Sequence, residues 1–420
     1  MSPSSSQPTP HVAFAALRHR GYRAFFLLSA LWMMADNIEH VISYWVIFGK
    51  FHSAALGGFA VVSHWLPFLL FSVYSGALAD RVDPRRMIQF GMLLFMGVSI
   101  AWGALFVSGA LQVWHAAALL IVHGLAGVLT APPSQVLLYD IVGRADLQSA
   151  VRLNATARQL GFLFGPAVGG AMLLWLGPNV GILVNAALYL PFALWLVAAP
   201  YGPKFRAAGA AVATRAVRSL GDIGRAMQEI AQHRVILAMT LLAGAASFFI
   251  GNAYQAQMPG FAHDLGRGQA DFFYSMLLGA DAAGALTAGF VLESRGLLQA
   301  RAGTACVLAM VWCAALASFA LTASYPFALA FLFVAGFTEL SFNSMAQTLV
   351  QLEAPLEMRG RAIGVFSMFA SGMRMFSGVT VGLAGARIGI HDSLALSAAA
   401  LFVVIGLLMQ FGLRRRPAVP

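Results

Sequence analysis

The stretch Gly76-Ala-Leu-Ala-Asp-Arg-Val-Asp-Pro-Arg-Arg-Met87 is a charged interruption between two apolar runs. It holds Asp80, Arg81, Asp83, Arg85 and Arg86, whereas residues 58–79 before it and 88–109 after it contain no Asp, Glu, Lys or Arg. An apolar helix of roughly 20 residues crosses a bilayer, so each flanking run is one crossing and the interruption is a tight turn at a membrane surface. A second turn of this kind follows later. GFVLESRG from Gly289 aligns with GALADRVD from Gly76 at a shift of 213. Gly124 and Gly336, Gln135 and Gln347, Ala150 and Ala362, and Gly170 and Gly382 repeat at a shift of 212. A near-constant shift over several segments implies that the chain is two copies of one membrane unit.

Working outward, breaks at Gly, Pro and charged clusters predict twelve spans, near 22–49, 58–79, 87–109, 113–141, 149–175, 180–199, 235–259, 271–292, 302–323, 326–352, 361–386 and 392–412. The expected organisation is an N-terminal tail over 1–21, a six-helix bundle over 22–199, a polar basic linker over 200–234, a second bundle over 235–412 and a tail over 413–420. The fold class is an all-α membrane protein with two pseudo-symmetric six-helix bundles. Composition agrees. Of 420 residues 60% are hydrophobic and 10% charged, with a mean hydropathy of +0.77. A soluble chain carries about 25% charged residues.

The formal net charge of +10 would point to nucleic acid in a soluble protein. Here 21 Lys and Arg fall in loops on one side of the predicted membrane and 3 on the other, with Arg158 and Arg374 inside spans. The positive-inside rule then predicts cytoplasmic termini in a bacterial inner membrane and accounts for the charge without a nucleic-acid partner. Phe25 to Phe51 is too long for a signal-peptide core and reads as a retained first helix. Cys306 and Cys313 share one predicted span, about 10 Å apart along its axis, so they read as core residues and not as a disulfide. The histidines are scattered and no H-E-x-x-H or paired-Cys motif is present, so neither a metal nor any other cofactor is expected, nor is an enzyme.

Mid-span polar residues mark the candidate site, because a charge at the bilayer centre costs at least about 2.5–3.5 kcal/mol. Span 1 carries Asp36, Asn37, Glu39 and His40. Asp36, Glu39 and His40 share one face at i, i+3 and i, i+4. Asp36 or Glu39 is the expected proton carrier with His40 as partner, and Asp281 and Glu339 are further candidates. Asn37, His64, His123, Arg158, Asn252, Gln255, Asn343 and Arg374 are the expected cavity residues, with Tyr254 and Gln257 extending the stripe in span 7. Bland readings stand beside these: span 1 could be shifted outward, and His64 and His123 could be paired structural residues. Asp80 can pair with Arg81 or Arg144, or sit at the positive N-terminus of span 11 near Gly360. In span 5, Gly161, Gly165, Pro166, Gly169 and Gly170 form G-x3-G-P-x2-G-G. Proline kinks the helix, and the glycines allow close helix contact.

Three segments carry a family resemblance: GALADRVDPRRM (Gly76–Met87), ADLQSAVRLNATARQLGFLFGPAVGG (Ala145–Gly170) and EMRGRAIGVFSMFASGMRMFSG (Glu357–Gly378). They resemble the major facilitator superfamily, specifically drug and siderophore exporters of the macrolide-efflux and enterobactin-exporter type. The resemblance implies proton-driven efflux of a small amphipathic molecule by alternating access, usually by a monomer. It implies that Gly76, Asp80, Arg81, Arg85 and Arg86 form a cytoplasmic gate latch and that the span 5 glycines form the antiporter motif. Departures are Asp83-Pro84 in place of Gly-Arg, Arg152 in place of an upstream glycine, and His123 where many antiporters carry arginine. A lipid flippase or importer of the same fold is the first alternative, and a non-transporting membrane sensor is the second.

Overall fold

The computed structural model describes residues 12–52, 54–205, 220–265 and 270–412. Their regular structure is helical throughout. The first half contains α1 (Arg20–Phe51), α2 (Ala54–Ala79), α3 (Pro84–Val107), α4 (Val113–Val142), α5 (Leu147–Leu188) and α6 (Leu190–Ala198). After α7 (Leu220–Gln232), the second half contains α8 (Arg234–Phe249), α9 (Ala253–Ala256), α10 (Met258–Asp264), α11 (Ala270–Arg295), α12 (Ala302–Leu321) and α13 (Tyr325–Glu353). It ends with α14 (Arg359–Ser367), α15 (Arg374–Ser377), α16 (Ala384–Ile388) and α17 (Ile390–Leu407).

Ten helical stretches among the described residues are long and apolar enough to cross a membrane. The stretch Leu147–Phe205 holds two of the crossings, because α5 turns back at Gly177, whose φ of 69° suits glycine, with Pro178 next. The remaining crossing is the run α14 to α16, interrupted by π-turns at Met368–Gly372 and Gly378–Leu383. Among the described residues twelve crossings result, in two bundles of six. The outer surface is apolar, as lipid contact demands: Leu174, Trp175, Trp45, Phe48, Val197 and Leu194 are all exposed.

Three details depart from the expected spans. Span 7 is not one helix; it stops at Phe249 and continues through the short helices α9 and α10. Span 11 carries the two π-turns. The linker contains α7; residues 206–219 before it lie outside the described residues, as do residues 1–11 and 413–420. Cys306 and Cys313 are buried free thiols in α12.

The span 5 glycines explain how α1 and α5, the most extensively packed pair of helices, come together. A Cβ on Gly161 would meet Met33, one on Gly165 would meet Asn37, and one on Gly169 would lie against Val41 and Ile38. Gly170 differs from the expectation: it faces open space and packs against nothing.

Candidate functional site

Between the two bundles lies a cavity of about 770 Å³. Its walls are mostly apolar and aromatic, including Phe25, Trp32, Trp65, Phe68, Phe95 and Phe162. Of the residues expected to line it, Asp36, Asn37, His64, Arg158, Asn252, Gln255, Asp281, Glu339, Asn343 and Arg374 do so. They come from both bundles, which is why no single segment of sequence contains the site.

The second bundle contributes an acid cluster. Tyr254 Oη, fully buried, lies 3.3 Å from each oxygen of Asp281 and 3.4 Å from Glu339 Oε2. Gln255 Nε2 donates to Asp281 Oδ2 at 3.2 Å, and Asn252 Nδ2 donates to Gln255 Oε1 at 3.2 Å. The break after α8 places Tyr254 and Gln255 in α9, so two consecutive side chains both reach Asp281. Gln257 instead donates to the Val381 carbonyl at 3.2 Å and is a packing residue. Arg158 from the first bundle and Arg374 from the second face the same space, and Glu339 is the carboxylate whose charge both feel. The Arg374 guanidinium stands 5.1 Å from the Trp65 ring centroid across the bundle boundary, and its Nε is buried without a hydrogen-bond partner.

The first bundle contributes a different cluster. Asp36 Oδ1 lies 3.0 Å from His123 Nε2, and Asp36 Oδ2 lies 3.8 Å from His40 Nδ1. Glu39 does not face the cavity as expected. It is only 2% exposed, and its Oε1 lies 2.7 Å from His123 Nδ1. Its Oε2 accepts from Ser99 Oγ, which accepts from Asn185 Nδ2 at 3.4 Å. Asp36 and Glu39 stand on opposite sides of His123, which bridges them. His123 is 4% exposed and lies behind the cavity wall, another departure from the expected lining. His40 packs beside it, with ring centroids 4.7 Å apart.

One end of the cavity is sealed by contacts between the bundles. This is the arginine-rich face. Asp80 Oδ1 accepts from Gly360 N at 2.5 Å and Oδ2 accepts from Arg361 N at 3.0 Å. The carboxylate therefore sits on the first exposed N–H groups of α14, where the helix dipole favours an anion. Of the partners open to Asp80 in the sequence, the helix N-terminus is one it uses, and the Arg361 Nε also stands 4.0 Å from its Oδ2. Gly76 makes this approach possible, since a Cβ there would strike the Gly360 carbonyl oxygen. Arg361 also reaches Glu229 of α7 at 2.9 Å, so the linker helix is tied to the same corner.

The remaining arginines of the turn do other things. Arg81 and Arg86 are exposed. Arg85 pairs with Asp83 at 2.6 Å and also donates to the Ala199 carbonyl beyond α6, all within the first bundle. Burial works against a charge on Asp83, but the Arg85 contacts and nearby Arg86 outweigh it and hold the carboxyl below its ordinary range. Arg144 seals the face instead, donating to the Leu352 carbonyl at 2.8 Å.

The repeat generates a second seal that the sequence reading overlooked. Glu293 occupies the position in GFVLESRG that Asp80 occupies in GALADRVD. It is 1% exposed and accepts from Ser149 Oγ at the start of α5. Arg152, at the site of the missing glycine, donates to the Leu292 and Leu297 carbonyls at 3.1 and 2.9 Å. The alignment already contained this pair.

Two six-helix bundles around a central, sealed-at-one-end cavity define a major facilitator transporter. Sequence comparison gives the family: residues 11–419 match the transmembrane secretion effector family of that superfamily, and the chain belongs to it. A Bacillus subtilis relative, the uncharacterized MFS-type transporter YvqJ, is 24% identical over 57% of each chain. The staphyloferrin A transporter of Staphylococcus aureus is 26% identical over 36% of this chain and 38% of its own. These matches thus span well under two thirds of either relative. In fold, the human organic anion transporter MFSD10 superposes with a TM-score of 0.71 at 13% identity, over 93% of this chain and 99% of its own. The Escherichia coli fucose:proton symporter FucP does so with 0.71 at 12%, over 94% and 98%. The chain is thus a multi-pass membrane protein of that family.

Proposed function

We propose that this transporter exports a small amphipathic compound, drug-like or siderophore-like, in exchange for protons. The observation that carries the reading is the acid pair Asp281 and Glu339, joined by Tyr254, on the wall of an otherwise aromatic chamber. The aromatic walls suit an apolar body. The carboxylates suit the few hydrogen-bond donors or positive charges such a compound carries. Antiport needs proton and cargo to compete for one site, and ionised carboxylates that hold cargo release it when protonated. The similarity to a staphyloferrin A transporter and to proteins named as putative multidrug resistance proteins supports this cargo class.

Export as the direction rests on the resemblance to exporters, and the charge bias supports only the orientation in the membrane. With the arginine-rich face in the cytoplasm, the Asp80 and Glu293 contacts close the inner side and the chamber is reached from outside. Alternating access then requires those contacts to break so that cargo can enter from within.

The test is transport in proteoliposomes with an imposed pH gradient, using a panel of fluorescent amphipathic compounds and siderophores. A gradient should drive accumulation by the wild type. Replacing a charged partner removes a contact worth about 1.5–3 kcal/mol, so Asp281→Asn and Glu339→Gln should weaken gradient-driven transport roughly 10- to 100-fold. Gradient response equal to wild type in both variants would remove the acid pair from the coupling.

A further inference from the structure

We propose that His40, His64, His123 and Asp36 form a binding site for one divalent transition-metal ion in the first bundle. The transport reading does not use this cluster as a metal site, and no metal-binding motif stands in the sequence.

Three helices contribute. His40 comes from α1, His64 from α2 and His123 from α4, and one ring nitrogen of each lies within 4.8 Å of the others. Their ring centroids are 4.7, 5.0 and 5.7 Å apart. An ion bonded at about 2.1 Å to three imidazoles in tetrahedral directions sets the centroids roughly 5.3 Å apart and the nitrogens roughly 3.4 Å apart. The three rings therefore already stand near that spacing, and rotation of the rings closes the remaining gap between the nitrogens. Asp36 supplies the fourth ligand: its two oxygens approach His123 Nε2 and His40 Nδ1 at 3.0 and 3.8 Å.

Two nitrogens lack what a purely structural cluster would give them. His64 Nδ1 is buried with no hydrogen-bond partner. His123 Nε2 is buried and close to Asp36 but outside hydrogen-bonding geometry. A metal ion takes the lone pairs of such nitrogens. Behind them, Glu39 holds His123 Nδ1 at 2.7 Å and is itself held by Ser99, which Asn185 supports. A carboxylate on the far nitrogen of a ligating histidine fixes its tautomer and aims the other nitrogen at the ion. Glu39 is thus a positioning residue, which accounts for a buried acid turned away from the cavity. Nitrogen-rich ligand sets of this kind select zinc, nickel or cobalt over magnesium or calcium.

The full-length protein, purified in detergent and stripped with a chelator, is dialysed against zinc chloride, and cobalt chloride is used for its visible absorption. One zinc per chain and a four-coordinate cobalt spectrum are expected, with magnesium not competing. His64→Ala should weaken zinc binding more than about 100-fold, and Glu39→Gln about 10- to 100-fold at unchanged stoichiometry. His64 has no hydrogen bond to lose at Nδ1, so His64→Ala is expected to keep the wild-type size-exclusion elution even if His123→Ala does not. Absence of stoichiometric zinc on the wild type, or zinc held equally tightly by His64→Ala, overturns the proposal. Zinc binding is read directly, so its failure and a failure of proton-coupled transport are separate results.

Discussion

The polar cluster of the first bundle and that of the second both border one cavity, yet they are built in opposite ways. In the first, His123 stands between Asp36 and Glu39, and Glu39 and His123 are withdrawn from the cavity. In the second, Asp281 and Glu339 share one phenol and look into the chamber towards arginines. The 212-residue repeat does not carry one cluster onto the other, so each bundle places its polar groups by its own residues. A withdrawn cluster is held mainly by its own members, because an unpaired charge in the bilayer is costly. A cluster facing the chamber can leave donors and acceptors for cargo.

The sharpest way to break this contrast is to remove the bridge. His123→Leu leaves Asp36 and Glu39 without their shared partner, and losing one member of a buried charged network costs about 3–5 kcal/mol. A large drop in the melting temperature in detergent is expected. Asp281→Asn, in the cavity-facing cluster, should melt near the wild-type temperature while losing transport. Equal destabilisation by both would mean that the two clusters do the same job.

Much of this architecture is legible in the residues. The 212-residue repeat and the charged turns define two bundles, and the cost of mid-span charge picks out Asp36, Asp281, Glu339, Arg158 and Arg374 as cavity residues. Helix rotation is less legible. The crossings are apolar on most faces, so no hydrophobic stripe says which way Glu39 points. The meeting of His40, His64 and His123 is invisible for the same reason, since it depends on how α1, α2 and α4 are turned. Glu293 is a different case: the aligned turns place it opposite Asp80, so the repeat alone identifies it.

The two seals on the arginine-rich face sharpen the comparison at intermediate size. Asp80 accepts two backbone N–H groups at a helix start, whereas Glu293 accepts from one serine hydroxyl. Hydrogen bonds to a charged group are worth about 1.5–3 kcal/mol. Asp80→Ala should therefore shift the population towards states open at that face by more than tenfold, and Glu293→Gln by less. Spin-label distances across Gly76 and Gly360 neighbours, or cysteine accessibility from that face, would measure both shifts. A larger response to Glu293→Gln would reverse the ranking of the seals.

The smallest effect belongs to Asp83, three residues from Asp80 but tied only to its own bundle. Its carboxylate caps α3 by accepting from Arg85 N at 3.0 Å and pairs with the Arg85 side chain. Asp83→Asn keeps an acceptor for the cap and loses the charge, so about 1 kcal/mol or less is at stake. The carboxyl is held below its ordinary range in the folded chain. The stability it adds is therefore complete above the unfolded aspartate value near 4 and is lost as pH falls through the lower folded value. The melting-temperature gap between wild type and Asp83→Asn should be constant from about pH 7 to 5 and close below about pH 4. Because among the described residues no hydrogen bond or ion pair of Asp83 crosses between the bundles, the variant should leave opening of the sealed face unchanged; a shift like that of Asp80→Ala would show that the whole turn acts as one latch.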